Sequence, residues 1–376
     1  MCPLGLYVHI PFCKSKCKYC DFCSYIGKLE KYGDAYVDAV CRQIAEMSTL
    51  CKDRMVDTIY FGGGTPTMLE AEKIGLILNT IRADYKCTDD VEISCESNPI
   101  SVYDGYYERL RAAGVNRLSI GAQSMLDSEL LALGRTHNAE QFEKSFFAAR
   151  AAGFENINID LMYGIPDQTE KTLAESVDRV ISLVPQHISV YGLKIEPDTV
   201  FYKKRSELAL PDEDTEYNMY MEVCKKLEKC EIHKYEISNF AKTGYESRHN
   251  LKYWNTDEYL GFGTAAHSYF DFERWEIPRG LEAFINGDYH IQKTFIDEKE
   301  RITEYVMLRM RLCKGVDYEK FKELFNLNFL DLYGKKLEKF IDGGFVIIGN
   351  KNCNFTDNGF CVSNTILSDI LEFSNK

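Results

Sequence analysis

The fold of this chain is decided by residues 7–25, which read YVHIPFCKSKCKYCDFCSY. The stretch places Cys13, Cys17 and Cys20 at C-x3-C-x2-C spacing, directly after a short apolar run over residues 4–10. Three thiolates on one tight loop can hold three corners of a cubane iron–sulfur cluster and leave the fourth iron open. Ferredoxins and structural zinc sites use other spacings. A zinc site or three unrelated thiols stay as alternatives, and both need this spacing to arise by chance.

Composition narrows the class of protein. The chain has 376 residues, and its hydrophobic fraction of 45% is ordinary for a soluble globular protein. No run approaches the ~18 apolar residues of a membrane span, and the N-terminus lacks the features of a secretory signal. Fourteen cysteines without an export signal indicate a reducing compartment, the cytoplasm, and metal chemistry. The net charge of −13 disfavours nucleic-acid binding.

Strand and helix patterns alternate over the first 200 residues. Strands are predicted over 4–9, 57–61, 91–95, 116–120, 155–161 and 187–192, with helical segments between them. This alternation indicates a parallel sheet with right-handed crossovers. Six strands fall short of the eight of a closed barrel. We therefore predict an α/β fold, an open (β/α)6 partial TIM barrel, whose ligand site lies at the carboxyl ends of its strands.

The alternation fades beyond residue 200. We predict three domains: the partial barrel over 1–200, a barrel extension over 201–295, and a C-terminal module over 296–376. Helices are expected over 318–325, 331–340 and 364–373, and a β-hairpin over 344–355. Helices followed by a hairpin are typical of a winged-helix-like module. Because this one has no basic recognition helix, DNA binding is not expected.

The glycine run GGGTP over residues 62–66 follows the second predicted strand. Taken alone it most often marks a turn. Following the cysteine motif, it resembles the radical SAM superfamily, in which S-adenosylmethionine occupies the open iron. The segments ESNP, GAQS, LGRTH and NIDLMYG contain residues that are ordinary one by one, but their spacing resembles the coproporphyrinogen oxidase-like branch. That branch comprises oxygen-independent coproporphyrinogen III dehydrogenases and HemW-type haem chaperones.

The resemblance implies a set of site residues. Cys13, Cys17 and Cys20 would be the ligands of a [4Fe–4S] cluster. The residues expected to line S-adenosylmethionine are Tyr7, Tyr19, Gly63, Gly64, Thr65, Glu96, Gln123, Arg135 and Asp160. A carboxylate such as Glu96 suits ammonium or ribose hydroxyls, and Arg135 suits a carboxylate.

Three features favour the chaperone side of this branch. Only six residues precede Tyr7, whereas the dehydrogenases resemble one another in a longer N-terminal extension. The dehydrogenases read C-x3-C-x2-C-x-C, but here Phe22 stands two residues after Cys20, and Cys23 is expected not to ligate the cluster. Residues 249–254 form HNxxYW, which resembles a chaperone motif implicated in haem binding.

The motif makes His249 the predicted haem ligand. A lone histidine beside aromatic residues is more often a packed, hydrogen-bonded side chain, and both readings stay open. His267, in AAHS, is a weaker candidate, and His9 is expected to shape the cysteine loop.

The resemblance implies a haem chaperone that delivers haem to a membrane-associated respiratory haemoprotein. It also allows peripheral membrane contact and a homodimer. The alternative is an oxygen-independent coproporphyrinogen III oxidase.

Overall fold

Six parallel strands run side by side in chain order and form the centre of the protein. A computed structural model describes residues 3–371. Within it the strands pair in the order β1-β4-β5-β6-β7-β8, each parallel to its neighbour. Strands β2 and β3 form a separate parallel pair in the cysteine loop. The first eight strands are β1 (Leu4–Ile10), β2 (Phe12–Cys13), β3 (Tyr25–Ile26), β4 (Met55–Gly63), β5 (Lys86–Ser97), β6 (Arg117–Gln123), β7 (Asn156–Tyr163) and β8 (His187–Gly192).

Helices connect these strands as the sequence pattern predicts, with one addition. The short helix α4 was not expected; Gly134 follows its last residue and caps it, and the φ of +75° at Gly134 turns the chain back toward the cysteine loop. Helices α5 and α6 each begin with a capping box, which satisfies exposed backbone N–H groups at the helix start. The helices of this part are α1 (Leu29–Met47), α2 (Ala71–Asp84), α3 (Tyr106–Ala113), α4 (Asp127–Leu133), α5 (Ala139–Ala151) and α6 (Glu170–Ser182).

The extension adds strands to both edges of the six-stranded sheet. Strand β11 pairs with β1 in parallel, and β12, β13 and β14 continue from it in antiparallel order. At the other edge, β10 pairs with β8 and β9 pairs with β10, both antiparallel. These elements are α7 (Val200–Lys203), α8 (Glu213–Glu228), β9 (His233–Lys234), β10 (Asn239–Ala241), α9 (Arg248–Trp254), β11 (Tyr259–Phe262), β12 (His267–Phe270), β13 (Glu273–Glu276), α10 (Leu281–Asn286) and β14 (Lys293–Phe295).

The C-terminal part packs around a hydrophobic cluster that includes Phe321, Phe329 and Phe355. The predicted hairpin is present, and β15 extends it to three strands. The last predicted helix ends at Ile370; residues 372–373 of that prediction lie outside the described residues. The elements are α11 (Glu298–Arg309), β15 (Val316–Asp317), α12 (Tyr318–Phe325), α13 (Phe329–Asp342), β16 (Val346–Ile348), β17 (Asn352–Phe355), α14 (Asp357–Cys361) and α15 (Ser363–Ile370).

Among residues 3–371, every helix is either too short or too polar to cross a membrane.

Candidate functional site

The three predicted cluster cysteines lie in the loop that follows β1. All three are free thiols of intermediate exposure. The Cys13 sulfur lies 3.6 Å from the Thr65 hydroxyl oxygen, and the Cys17 sulfur accepts a hydrogen bond from Arg135 Nη1 at 3.5 Å. Burial raises the pKa of Cys20 to about 11. Within residues 3–371, no three His, Cys, Asp or Glu side chains converge on one shared metal ion. A cubane makes a different demand, because each of its cysteines binds a separate iron.

The glycine run holds the cysteine loop against the end of β4. Gly64 N donates to Ile10 O and Thr65 N donates to Phe12 O, both at 2.9 Å. A Cβ on Gly64 would lie 2.9 Å from Phe12 O, so a side chain at this position would force the two segments apart. Gly63 has a φ of +110°, and a Cβ there would lie 2.5 Å from the His9 ring. The run is therefore a close backbone contact as well as a turn.

Two carboxylates lie inside the barrel. Glu96 accepts hydrogen bonds from Tyr60 OH at 2.9 Å and from Gly63 N at 3.2 Å. Burial, and then the charge of Asp160, raise the pKa of Glu96 to about 7. Asp160 accepts from Ser119 Oγ at 3.0 Å, and burial raises its pKa as well. We expected Asp160 at the carboxyl end of its strand. It lies inside β7 instead, because β7 runs on to Tyr163 and continues to pair with β8.

Buried polar atoms without partners lie at the end of β6 and in the segment after α4, where Arg135 contacts the cysteine loop. Gln123 ends β6 with a φ of +61°, and its Oε1 is buried without a hydrogen-bond partner among residues 3–371. Arg135 Nε is also buried and unpaired within that range, although Nη2 donates to Gly121 O at 3.4 Å. The charge and hydrogen-bonding capacity of Arg135 act on the Tyr19 hydroxyl, whose pKa burial raises. These atoms can bond a polar ligand.

Tyr7 and His9 connect the barrel interior to the cysteine loop. The Tyr7 hydroxyl and His9 Nδ1 lie 3.0 Å apart, and His9 Nε2 lies 3.0 Å from the Cys23 carbonyl. Burial lowers the pKa of His9, so the ring is neutral: Tyr7 donates to Nδ1 and Nε2–H donates to Cys23. His9 thus shapes the loop, as the sequence indicates.

The structure does not bring His249 to the cysteine loop. Its ring is fully buried at the start of α9, near the amino end of β1. Nδ1 lies 2.9 Å from Thr58 Oγ1, and Nε2 lies 2.8 Å from the Tyr253 hydroxyl. The ring also stacks on Tyr60, with 5.2 Å between centroids. Burial lowers the pKa of His249 to about 3. Both nitrogens of this predicted haem ligand are therefore occupied.

Known proteins resemble the whole chain. The radical SAM superfamily matches residues 7–180, and the HemN C-terminal domain matches residues 296–362. The heme chaperone HemW of Bacillus subtilis (strain 168) is 36% identical over 97% of this chain and 98% of its own length. The heme chaperone HemW of Escherichia coli (strain K12) is 33% identical over 97% of both chains. This chain belongs to the HemW family of the radical SAM superfamily.

A solved structure supports the fold of this HemW-family chain. The coproporphyrinogen III oxidase HemN of Escherichia coli, a radical SAM enzyme, matches with a TM-score of 0.86. The match covers 99% of this chain and 91% of that structure at 24% sequence identity. At this identity the likeness shows the fold alone. The predicted partial barrel with its helical C-terminal part is confirmed.

Sequence reasoning missed Tyr60 in the HemW-family site. Tyr60 donates to Glu96 and stacks on both Tyr7 and His249. The period of a strand could have identified it, since residues two apart point to the same face and Gly62 follows at that interval.

Proposed function

We propose that this HemW-family protein binds a [4Fe–4S] cluster, S-adenosylmethionine and haem, and transfers haem to a membrane-associated respiratory haemoprotein. The observation that supports this most is the cysteine loop, held by the glycine run at the carboxyl end of the barrel strands. The similarity to heme chaperones HemW of Bacillus subtilis and Escherichia coli supports the chaperone part. The three domains predicted from the sequence remain part of this proposal.

The donor set fits an iron–sulfur cluster. Cys13, Cys17 and Cys20 supply three thiols on one loop, and the Thr65 hydroxyl and the Arg135 guanidinium lie within reach of two of the sulfurs. Hydrogen bonds to sulfur tune the reduction potential of such a cluster.

The unpaired atoms beside the loop fit S-adenosylmethionine. Arg135 would bind the carboxylate of its methionine portion, and the Gln123 amide would bond a second polar group. Because the glycines of this run have no side chains, a ligand can approach its backbone closely. Glu96 accepts a hydrogen bond from Gly63 N, and this bond helps to shape the run. Tyr7, Tyr19, Gly64, Thr65 and Asp160 complete the proposed lining. When bound, the two groups would together supply radical chemistry.

Haem would be the cargo of the protein. His249 remains the ligand predicted from HNxxYW, but its ring would have to leave Thr58 and Tyr253 before it could bind iron. Haem ligation by His249 therefore requires a rearrangement of α9.

One anaerobic preparation, divided into two assays, tests the proposal. We expect haem titration to give a Soret shift, and we expect coproporphyrinogen with reductant and S-adenosylmethionine to yield no protoporphyrinogen. The reverse result would reject the chaperone function in favour of a coproporphyrinogen III oxidase, whose fold this chain shares.

A pair of cysteine variants tests the cluster. Cys20→Ala should lower the iron bound after reconstitution, while Cys23→Ala, three residues away, should retain it. Equal iron content in the two variants would contradict the proposed ligand set.

A further inference from the structure

A haem iron needs an imidazole nitrogen that faces a space large enough for a porphyrin. The chain has seven histidines, all within the described residues. Four of them are buried: His9, His137, His187 and His249. Three of these four have both ring nitrogens in hydrogen bonds. His137 Nε2 bonds the Ala122 carbonyl, and its Nδ1 has no partner among residues 3–371, but the ring is only 4% exposed, so a porphyrin cannot reach it as folded.

The three exposed histidines differ in their surroundings. His233 is the first residue of β9, and its Nδ1 is 3.0 Å from a carboxylate oxygen of Glu228, the last residue of α8. His267 and His290 line one open cavity of about 1000 Å³, and the nearest ion-pair contact of His267 is longer, with Nε2 3.9 Å from a Glu276 carboxylate oxygen. The cavity lies between the antiparallel strands β12–β14 and helix α11, so the extension and the C-terminal part build it together.

The walls of this cavity combine apolar and charged groups. Met307 and Ile296 line it with apolar side chains, which suit a planar aromatic ring, while Trp275 also lines it but is only 2% exposed and has Lys293 over its ring. Arg279 lines the cavity with 69% of its side chain exposed, and its ion pair with Glu276 is long, at 3.9 Å from Nε to the carboxylate oxygen. Its guanidinium is therefore available to a carboxylate. Arg274 is different, because Glu304 accepts two hydrogen bonds from it, at 2.6 and 2.9 Å.

We propose that this cavity is the haem site of the protein, with His267 or His290 as the iron ligand and Arg279 as a propionate anchor. This inference rests on the proposed haem-binding function and locates it away from both His249 and the cysteine loop. Three carboxylates also line the cavity, those of Glu276, Glu300 and Glu304. The net charge of the walls therefore adds little to the binding free energy of a metal-free porphyrin, which carries two carboxylates. Iron coordination must then supply much of the affinity, and haem should bind more tightly than metal-free protoporphyrin.

The test uses the full chain and ferric haem, with metal-free protoporphyrin as a second probe. The double variant His267→Ala/His290→Ala should weaken haem binding by about tenfold or more and change the Soret position. His233→Ala removes an exposed histidine outside the cavity and should match the wild type. Arg279→Gln should weaken affinity without moving the Soret band, because the iron ligand is unchanged.

A cavity-filling variant guards against loss by misfolding. Thr303→Trp, on the α11 wall, leaves both histidines in place and should also weaken haem binding. A double variant with wild-type affinity and spectrum would overturn this site while leaving haem binding itself intact. Equal affinity of the wild type for haem and for metal-free protoporphyrin would also overturn iron ligation. Absence of any haem binding by the wild type would reject the proposed function together with the site.

Discussion

His249 provides a direct test of the barrel interior, because its burial makes stability depend on pH. An imidazole with an ordinary pKa of 6.5 is held neutral in the folded chain, where burial lowers its pKa to about 3. Between pH 6.5 and about pH 3, the His249 ring is therefore protonated in the unfolded chain but not in the folded chain. Because the folded pKa lies below the unfolded one, stability falls as pH falls through 6.5, and the loss ends near the folded pKa.

The size of the effect follows from the interval. Each pH unit within it is worth about 1.4 kcal/mol, and the unfolded ring is only partly charged at the upper end. Between about pH 7 and about pH 5, His249 alone should reduce the free energy of unfolding by ~2 kcal/mol. His187 and His9 contribute in the same direction, so the wild type must be compared with a variant that lacks only His249.

His249→Gln is that variant, because glutamine cannot titrate. We expect it to be less stable than the wild type by about 1–3 kcal/mol near neutral pH, since Thr58 and Tyr253 lose their partner. The gap should shrink by ~2 kcal/mol at about pH 5, as measured by urea unfolding at each pH. A parallel pH dependence of the wild type and His249→Gln would show that the ring is not sealed in the barrel.

Three further substitutions test other parts of the structure. Gly63→Ala should lower the free energy of unfolding by about 2 kcal/mol or more, because of its positive φ and the His9 ring, and also weaken S-adenosylmethionine binding. Gly244→Ala, with φ +85° and no neighbour within 4 Å, should lose only about 1 kcal/mol in the same unfolding assay, and equal losses would contradict the contact. Phe321→Ala in the C-terminal core should lower the free energy of unfolding by about 3–5 kcal/mol, whereas Leu324→Ala, at an exposed position of the same helix, should lower it by about 0.5 kcal/mol. Hydrogen exchange of the α12 amides measures both changes. Between about pH 5 and about pH 7, the wild type should lose about 2 kcal/mol of unfolding free energy relative to Glu96→Gln, because a raised carboxyl pKa reduces stability as pH rises. A difference in unfolding free energy between the two proteins that does not change with pH would refute the burial of this charge.

Local patterns were enough to predict the barrel. Strand β8 and helix α12 have the predicted bounds, since continuous apolar runs and helical periodicity are properties of neighbouring residues. The cysteine loop was predictable for the same reason, because spacing within one loop constrains geometry directly. Helix α4 has only seven residues, too few to establish a period.

Features that depend on contacts between residues far apart in the sequence could not be predicted from local patterns. Strand β11 has four residues and is fixed by β1, at the other end of the chain. The partners of His249 are equally remote, since Thr58 precedes it by 191 residues. HNxxYW therefore indicated a haem ligand where the fold places a sealed ring. The cavity at His267 depends on α11, which no local pattern connects to AAHS.

The cysteine loop and the cavity are joined by a short hydrogen-bonded connection, and this affects how variants should be read. His9 bonds the Cys23 carbonyl, and the Tyr36 hydroxyl donates to the His9 carbonyl at 2.8 Å. Tyr36 in turn accepts from Thr264 N at 3.1 Å, and Thr264 lies three residues before His267. A substitution that displaces the segment before β12 can therefore disturb the loop as well as the cavity. A change in haem binding identifies the cavity as the haem site only in variants whose iron content matches that of the wild type.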